Sequence, residues 1–304
     1  MRCRICGNIA GNQTYQAREM MLGLRERFDY VHCAACGCLQ IAHFPSDMTP
    51  YYPPAYFGQA PSRRTSPSPI PAWAYTMFDM LEMRQALAAR PDAPPAQVLA
   101  QRALARYLPE LAALSGPERL RLRILDVGCG DGGLLAALAS LGFTNLLGVD
   151  RYYESDEYES HDSPTDAQGV QIVRGALEEL EQVIEGQTWD LVMMHHAFEH
   201  MADPVATLRA VARRLAPGGL CLLRLPVVPS AAWEQYGVNW VQLDAPRHFF
   251  LHSVQSLTLV AEQAGLRLQR CLYDSTSFQF VGSELYRRNI PLRVARPDRL
   301  FSPQ

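Results

Sequence analysis

A glycine-rich run that begins at Gly128 is the segment whose residue types and spacing best suit ligand binding. It reads Asp126-Val127-Gly128-Cys129-Gly130-Asp131-Gly132-Gly133 and lies between a predicted strand and a predicted helix. Glycines let the backbone pass close to a ligand because they lack a Cβ, and the amides at the helix start then face that ligand. Gly128, Gly130 and Gly133 also fit the dinucleotide pattern G-x-G-x-x-G, so the glycines alone leave more than one cofactor open.

Two carboxylates next to this run narrow the choice of cofactor. Asp150 ends the next predicted strand, where it suits hydrogen bonds to two ribose hydroxyls of either a nicotinamide dinucleotide or S-adenosylmethionine. Asp126 stands two residues before the first glycine, where a carboxylate repels a pyrophosphate but suits the amino group and the cationic end of S-adenosylmethionine. We therefore predict S-adenosylmethionine as the cofactor.

Four cysteines near the N-terminus have the spacing of a zinc site. Two Cys-x-x-Cys pairs are separated by 26 residues, and we predict that all four thiolates bind one Zn²⁺: Cys3, Cys6, Cys33 and Cys36. Such a set leaves no open coordination position, so the metal would stabilise the fold and take no part in catalysis. Cys38 and His32 are possible substitute ligands, and the alternative is a group of reduced structural cysteines.

The elements that position these residues alternate between strand and helix from about residue 121 onward, which is typical of a parallel sheet with covering helices. We predict strands over 123–127, 145–149, 170–173, 189–194 and 220–225, with helices over 132–141, 203–215 and 253–264. Two last strands, 267–273 and 277–281, would form an antiparallel hairpin. The predicted fold is α/β: a Rossmann-like, seven-stranded, mostly parallel sheet with a small N-terminal zinc-ribbon-like module.

Composition divides the chain into four parts. Residues 1–44 form the predicted zinc-binding module, and 45–120 a connector rich in Pro and Tyr with lid helices over about 72–90 and 96–108. Residues 121–290 are the cofactor-binding domain, and 291–304 a C-terminal tail.

Bulk charge and hydrophobicity exclude several kinds of partner. The formal net charge of −3 gives no electrostatic footprint for nucleic acid. No run approaches the roughly 18 apolar residues that cross a bilayer, and the N-terminus has no signal-peptide core. We therefore predict a cytoplasmic protein without a membrane span, in a reducing compartment where clustered cysteines bind metal more often than they pair.

Three segments together resemble class I S-adenosylmethionine-dependent methyltransferases. Residues 124–132 look like the first motif of that family, and 190–192 lead to Phe198-Glu199-His200-Met201-Ala202-Asp203-Pro204. Leu215-Ala216-Pro217-Gly218-Gly219 follows in the family's order, so that the resemblance covers about 120–285.

The resemblance implies roles for individual positions. Asp126, Gly128 and Gly130 would line the methionine part of the cofactor, and Asp150 would hold the ribose. Residues 175–177 would flank the adenine, while His195 and His196 would face the methyl donor and the acceptor. The complete predicted cofactor-binding set is Asp126, Gly128, Cys129, Gly130, Asp150, Gly175, Ala176, Leu177 and His195.

Methyl transfer to a hydroxyl also needs a group that removes a proton, and a histidine suits that role. Residues 240–250, here called the acceptor loop, correspond in position to an acceptor-side loop of related methyltransferases. The candidate bases are His248 in this loop, His195 and His196, with Glu199 and Asp244 as partners; for His200 a structural role is favoured.

A two-knuckle module before a methyltransferase core also resembles a bacterial family that includes sugar C-methyltransferases and enzymes of polysaccharide or secondary-metabolite gene clusters. The sugar C-methyltransferases usually carry a further C-terminal domain, which these 304 residues do not include. We predict O- or C-methylation of a small molecule, such as a sugar or a carrier-linked metabolite. The alternatives are a non-catalytic binding or scaffold protein with the cofactor fold and, third, a nicotinamide-dependent oxidoreductase.

Overall fold

Two β-sheets organise the residues that the computed structural model describes, which are 1–53, 120–153, 170–177 and 186–294. The strands are β1 (Gln13–Arg18), β2 (Arg27–His32), β3 (Leu39–Ile41), β4 (Arg123–Val127), β5 (Asn145–Asp150), β6 (Gln171–Arg174), β7 (Trp189–His195), β8 (Leu215–Arg224) and β9 (Phe250–Leu251). The helices are α1 (Gly133–Ser140), α2 (Pro204–Arg214), α3 (Ala231–Tyr236), α4 (Val254–Gln263) and α5 (Phe278–Arg287). The predicted lid helices and most of the connector lie outside the described residues.

The larger sheet has five parallel strands in the order β6-β5-β4-β7-β8. From β4 the chain passes to β5 and β6 on one side and then returns to β7 and β8 on the other. Ligands of such sheets bind beyond the carboxyl ends of the strands at the point where this direction reverses. The glycine-rich run after β4 and His195 at the end of β7 therefore share one edge of the sheet.

The predicted Rossmann-like class is confirmed, and strand β4 has the predicted bounds. Its core residues Ile124 and Leu125 are fully buried, as expected for a parallel strand covered on both faces. Helix α2 begins as its sequence indicates, because Asp203 accepts a hydrogen bond from Ala206 N at 2.9 Å and Pro204 occupies the first turn. Such a cap contributes about 1 kcal/mol.

The predicted C-terminal hairpin is wrong. No strand forms between residues 266 and 277, and the segment predicted as the last strand begins helix α5. The buried residues Gln279, Ser283 and Tyr286 recur at helical spacing and pack against the acceptor loop. This tertiary packing favours a helix over the strand that residues 277–281 indicate locally. Gly282 permits the close approach, because a Cβ there would lie 2.7 Å from a methyl group of Val241. In the described residues the parallel sheet thus has five strands, where seven strands were predicted overall.

The smaller sheet is antiparallel, in the order β1-β2-β3-β9. Its last pair joins distant parts of the chain, since Leu39 faces Leu251 and Gln40 faces Phe250. The N-terminal segment therefore takes its fourth strand from β9, at the end of the acceptor loop. Among the described residues, no helix combines the length and the apolar character that a bilayer span requires.

Candidate active site

The glycine-rich run folds tightly onto the ends of β4 and β5. Gly128 has φ +76° and donates its amide hydrogen to Val149 O at 2.7 Å. A Cβ on Gly128 would lie 2.4 Å from the Cβ of Ala197, so only glycine fits this position. The run thus forms a turn whose backbone lies directly at the sheet edge.

Asp126 contributes a buried carboxyl group at this edge. It is 2% exposed, and its Oδ1 has no hydrogen-bond partner among the described residues. Burial, together with the nearby charge of Asp150, raises the pKa of Asp126 to about 7. A buried acceptor atom without a donor fits a ligand that brings a positively charged N–H group, such as the amino group of S-adenosylmethionine.

Both carboxylate oxygens of Asp150 accept hydrogen bonds from backbone amides. Its Oδ2 accepts from Gly130 N at 3.0 Å, and its Oδ1 accepts from Tyr152 N at 2.8 Å. Each carboxylate oxygen keeps a further lone pair for a ribose hydroxyl. The ring of Tyr152 stacks on Tyr52 from the start of the connector, with centroids 4.9 Å apart. Tyr52 therefore lies close to the edge of the sheet that carries Asp150.

The predicted adenine-flanking residues follow β6 and lie beside Asp150. Gly175 donates to Asp150 O at 3.0 Å, while Leu177 is buried in the core. Cys129 packs over Gly148, where a Cβ would come within 2.6 Å of its Sγ. Gly175 and the glycine-rich run thus share a partner, because Gly130 donates to the side chain of Asp150.

His195 and His196 differ in environment, although they are neighbours at the end of β7. Burial, with Arg224 nearby, lowers the pKa of His195 to about 4, so its imidazole is neutral at pH 7. His196 has φ +53°, and its Nε2 lies 2.8 Å from Nη1 of Arg224. Because arginine can only donate, this Nε2 accepts; Nδ1 of the same ring lies 3.4 Å from Glu199 Oε1.

A second group of side chains converges beside these histidines, and we call it the Glu–His–His cluster: Glu199, His200 and His248. One ligand atom from each residue lies within 4.8 Å of the other two. The imidazoles of His200 and His248 meet edge to face at 4.7 Å. Burial, with His200 nearby, lowers the pKa of His248 to about 4. The sequence predicts Glu199 as a possible partner of the candidate histidines and favours a structural role for His200.

Comparison with known proteins decides the family. The sequence matches the family described as "Methyltransferase domain" over residues 98–270. The chain belongs to this methyltransferase family. The predicted recognition as an S-adenosylmethionine-dependent methyltransferase is thereby confirmed, and the nicotinamide alternative loses its support.

Curated relatives of this methyltransferase share part of its length. A ubiquinone biosynthesis O-methyltransferase of Caulobacter sp. (strain K31) is 38% identical over 105 residues, which cover 34% of this chain and 40% of the relative. A ubiquinone biosynthesis O-methyltransferase of Dinoroseobacter shibae is 30% identical over 151 residues, which cover 48% of this chain and 60% of the relative. The matched part of this methyltransferase thus spans less than two thirds of the length of either relative.

Solved structures resemble the methyltransferase more distantly. CalO1, described as a methyltransferase in calicheamicin biosynthesis with S-adenosylhomocysteine bound, is 21% identical; the match covers 67% of this chain and 58% of that one, with a TM-score of 0.41. An S-adenosylmethionine-dependent methyltransferase from Archaeoglobus fulgidus is 18% identical. The match covers 64% of this chain and 87% of that one, with a TM-score of 0.41.

The acceptor loop is anchored by buried charges. Arg247 is fully buried and forms ion pairs with Asp244 at 2.6 Å and with Glu19 at 2.9 Å. Tyr30 donates its hydroxyl hydrogen to His248 O at 2.8 Å. Because Glu19 and Tyr30 belong to the N-terminal segment, that segment fixes the position of His248.

Sequence reasoning missed Glu19 and Tyr30 as parts of this site. Each contacts a residue more than 200 positions away in the chain. No local pattern marks either residue, and only the pairing of β3 with β9 brings them to the acceptor loop.

The four predicted zinc ligands of the methyltransferase converge in space. All four thiol sulfurs lie within 4.8 Å of one another, with Cys3 Sγ 3.7 Å from Cys36 Sγ and Cys6 Sγ 3.5 Å from Cys33 Sγ. A tetrahedral Zn²⁺ with bonds of about 2.3 Å places its sulfurs about 3.8 Å apart, so these distances fit the metal and are too long for disulfides. Cys38 and His32 lie outside this group of four.

Proposed function

We propose that the protein transfers the methyl group of S-adenosylmethionine to a small molecule. The observation that carries this proposal is the buried Oδ1 of Asp126, which lacks a donor and lies at the glycine-rich run of a methyltransferase domain. A sulfonium cofactor with a cationic amino group supplies the missing donor and the compensating charge.

The cofactor is proposed to lie across the carboxyl ends of β4, β5 and β7. Asp126 would hold the methionine amino group, Asp150 the ribose hydroxyls, and residues 175–177 the adenine. The backbone of Gly128, Cys129 and Gly130 would line the same ligand, and His195 would close the site at the end of β7. The support is the common sheet edge on which these residues lie.

The chemistry is a displacement at the methyl carbon. An acceptor oxygen would form the new bond to carbon, the carbon–sulfur electron pair would return to sulfur, and S-adenosylhomocysteine would leave. The hydroxyl proton must depart, and we propose that its departure depends on His248. This imidazole is neutral at pH 7 and lies in the acceptor loop, where Gln242 O accepts from its Nδ1 and Tyr30 donates to the backbone carbonyl of His248.

For the acceptor we propose a hydroxyl-bearing small molecule, such as a sugar or a carrier-linked metabolite. The relatives described as O-methyltransferases support oxygen over carbon as the methylated atom. Residues 1–44 are proposed to form a module that is stabilised by Zn²⁺ on the four cysteines, because the sulfur separations fit that ion.

Ligand binding and turnover test the proposal in two steps. S-adenosylhomocysteine should raise the melting temperature of the protein, whereas NAD should not. A panel of sugars and phenols with radiolabelled S-adenosylmethionine should then give a methylated product. Stabilisation by NAD alone would refute the cofactor assignment, whereas cofactor binding without turnover on any acceptor would favour a scaffold protein.

A further inference from the structure

The Glu–His–His cluster presents lone pairs with few hydrogens between them. His248 Nδ1 lies 2.8 Å from the carbonyl oxygen of Gln242, and His200 Nδ1 lies 2.8 Å from that of Arg247. A carbonyl oxygen only accepts, so each Nδ1 carries the hydrogen in the neutral imidazole. Each Nε2 is then a bare acceptor.

The carboxylate in the cluster lacks donors as well. Glu199 is fully buried, and neither of its carboxylate oxygens accepts a hydrogen bond from a described residue. The nearest described imidazole nitrogens are His196 Nδ1 and His248 Nε2, at 3.4 and 3.9 Å from Oε1.

These atoms face one another in an arrangement that needs a positive charge. The bare Nε2 of His248 lies 3.9 Å from Oε1 of Glu199 and 3.9 Å from Oδ2 of Asp244, too far for hydrogen bonds. A buried carboxyl group without donors, beside bare imidazole lone pairs, is unfavourable unless a proton or a cation lies among them.

We propose that Glu199, His200 and His248 bind a divalent transition-metal cation, separate from the zinc on the four cysteines. Two imidazoles and one carboxylate are a ligand set for Zn²⁺, Mn²⁺ or Fe²⁺ that leaves coordination positions open. Metal-binding histidines commonly donate their other ring hydrogen to a backbone carbonyl, as both histidines do here.

Cation binding itself does not depend on the proposed function. The role of the cation towards the acceptor does rest on the proposed methyl transfer, which it would assist. A divalent cation lowers the pKa of a hydroxyl that binds it. The acceptor proton would then pass to solvent water, and the oxygen would attack the methyl carbon as described above. His248 would serve as a metal ligand instead of taking the proton itself.

Titration of the full chain with Mn²⁺ tests the site, because manganese prefers nitrogen and oxygen ligands to four thiolates. We expect one Mn²⁺ per chain, and at least about 100-fold weaker binding in Glu199→Gln and in His248→Asn. The exposed His43→Asn is the matched control and should bind as the wild type does. An S-adenosylhomocysteine thermal shift in each variant shows whether the cofactor site is intact.

The wild-type protein supplies a second measurement that no variant's folding affects. Co²⁺ in the Glu–His–His cluster should give weak visible bands without the sulfur-to-metal charge transfer that thiolates produce. Absence of Mn²⁺ and Co²⁺ binding, or unchanged binding in both variants that retain cofactor binding, would overturn the proposal. The role of the cation can be tested by removing all metal except the cysteine-bound zinc. If methyl transfer is then unchanged, the cation has no role in the reaction, whereas the proposed function still holds.

Discussion

Arg247 and Glu19 form a fully buried ion pair, with Nη2 of Arg247 2.9 Å from Oε1 of Glu19, although 228 positions separate them in the chain. Arg247 also pairs with Asp244 and donates to Tyr51 O. Arg247 precedes His248 directly, so the N-terminal segment controls where the candidate reacting histidine lies.

Breaking this pair should destabilise the protein and disturb the acceptor loop. We expect Glu19→Gln to lower the free energy of unfolding by about 3–5 kcal/mol, because it leaves part of the Arg247 charge uncompensated in the interior. Glu284→Gln is the matched control, since its pairs with Arg287 and Arg288 are largely exposed, and it should change stability by less than about 1 kcal/mol. Urea denaturation measures both, and equal effects would contradict the anchoring role.

Loss of the zinc ligands should release metal. Cys3→Ser combined with Cys33→Ser should lose about one equivalent of zinc relative to the wild type and lower the melting temperature by more than about 5 °C. Cys271→Ser serves as control because this thiol is exposed. Elemental analysis of protein purified without added metal checks the count, and unchanged zinc in the double variant would refute the four-cysteine site.

Cofactor affinity should depend on pH through Asp126. Its carboxyl group has a pKa of about 7, and the charged form binds the cationic amino group, so affinity for S-adenosylhomocysteine should rise about tenfold between pH 6 and pH 8. Calorimetric titration should show this slope in the wild type and in Asp190→Asn, but not in Asp126→Asn. A slope that persists in Asp126→Asn would assign it to another group.

The carboxyl group of Asp126 should also make the stability of the ligand-free protein depend on pH. Stability should fall as pH rises, whereas cofactor affinity should rise. Because folding raises the pKa of Asp126 from 3.8 to about 7, its contribution is fully present below pH 3.8 and is lost as pH rises through 7. Asp126→Asn should therefore be more stable than the wild type at pH 8, by up to about 4 kcal/mol, and show a smaller gain at pH 5. Denaturant unfolding at the two pH values measures the difference, and an equal gain at both would count against it.

Methyl transfer should depend on His248 more than on His195 or His196. His248→Ala should lower kcat about 10²- to 10⁴-fold while affinity for S-adenosylhomocysteine stays within about twofold. His43→Ala, which changes an exposed histidine, should keep full activity. A larger loss in His195→Ala or His196→Ala would move the reacting centre to the end of β7.

Local signals predicted the parts of the fold that neighbouring residues determine. The apolar run of β4 and the Asp203-Pro204 start of α2 need only short-range information, and both formed as predicted. The last predicted strand failed because its β-like side chains pack at helical spacing against the acceptor loop, a contact that depends on the tertiary structure.

The candidate site divides in the same way. Asp126 and Asp150 follow adjacent parallel strands, so the sequence alone brings them to one edge of the sheet. The convergence of Glu199 with His248 depends on how the acceptor loop folds back, which Phe249 N secures by donating to Glu199 O. The buried pair of Glu19 and Arg247 needs the pairing of β3 with β9 in the smaller sheet, which no spacing in the sequence encodes.

The pairing of Leu39 with Leu251 limits how this protein can be recombined. A graft of residues 1–44 onto another methyltransferase would expose the backbone edge of β3, where unpaired amides and carbonyls invite aggregation. A chimera that also carries residues 249–252 would keep this edge covered. For protein engineering, the smallest transferable unit is therefore discontinuous in sequence.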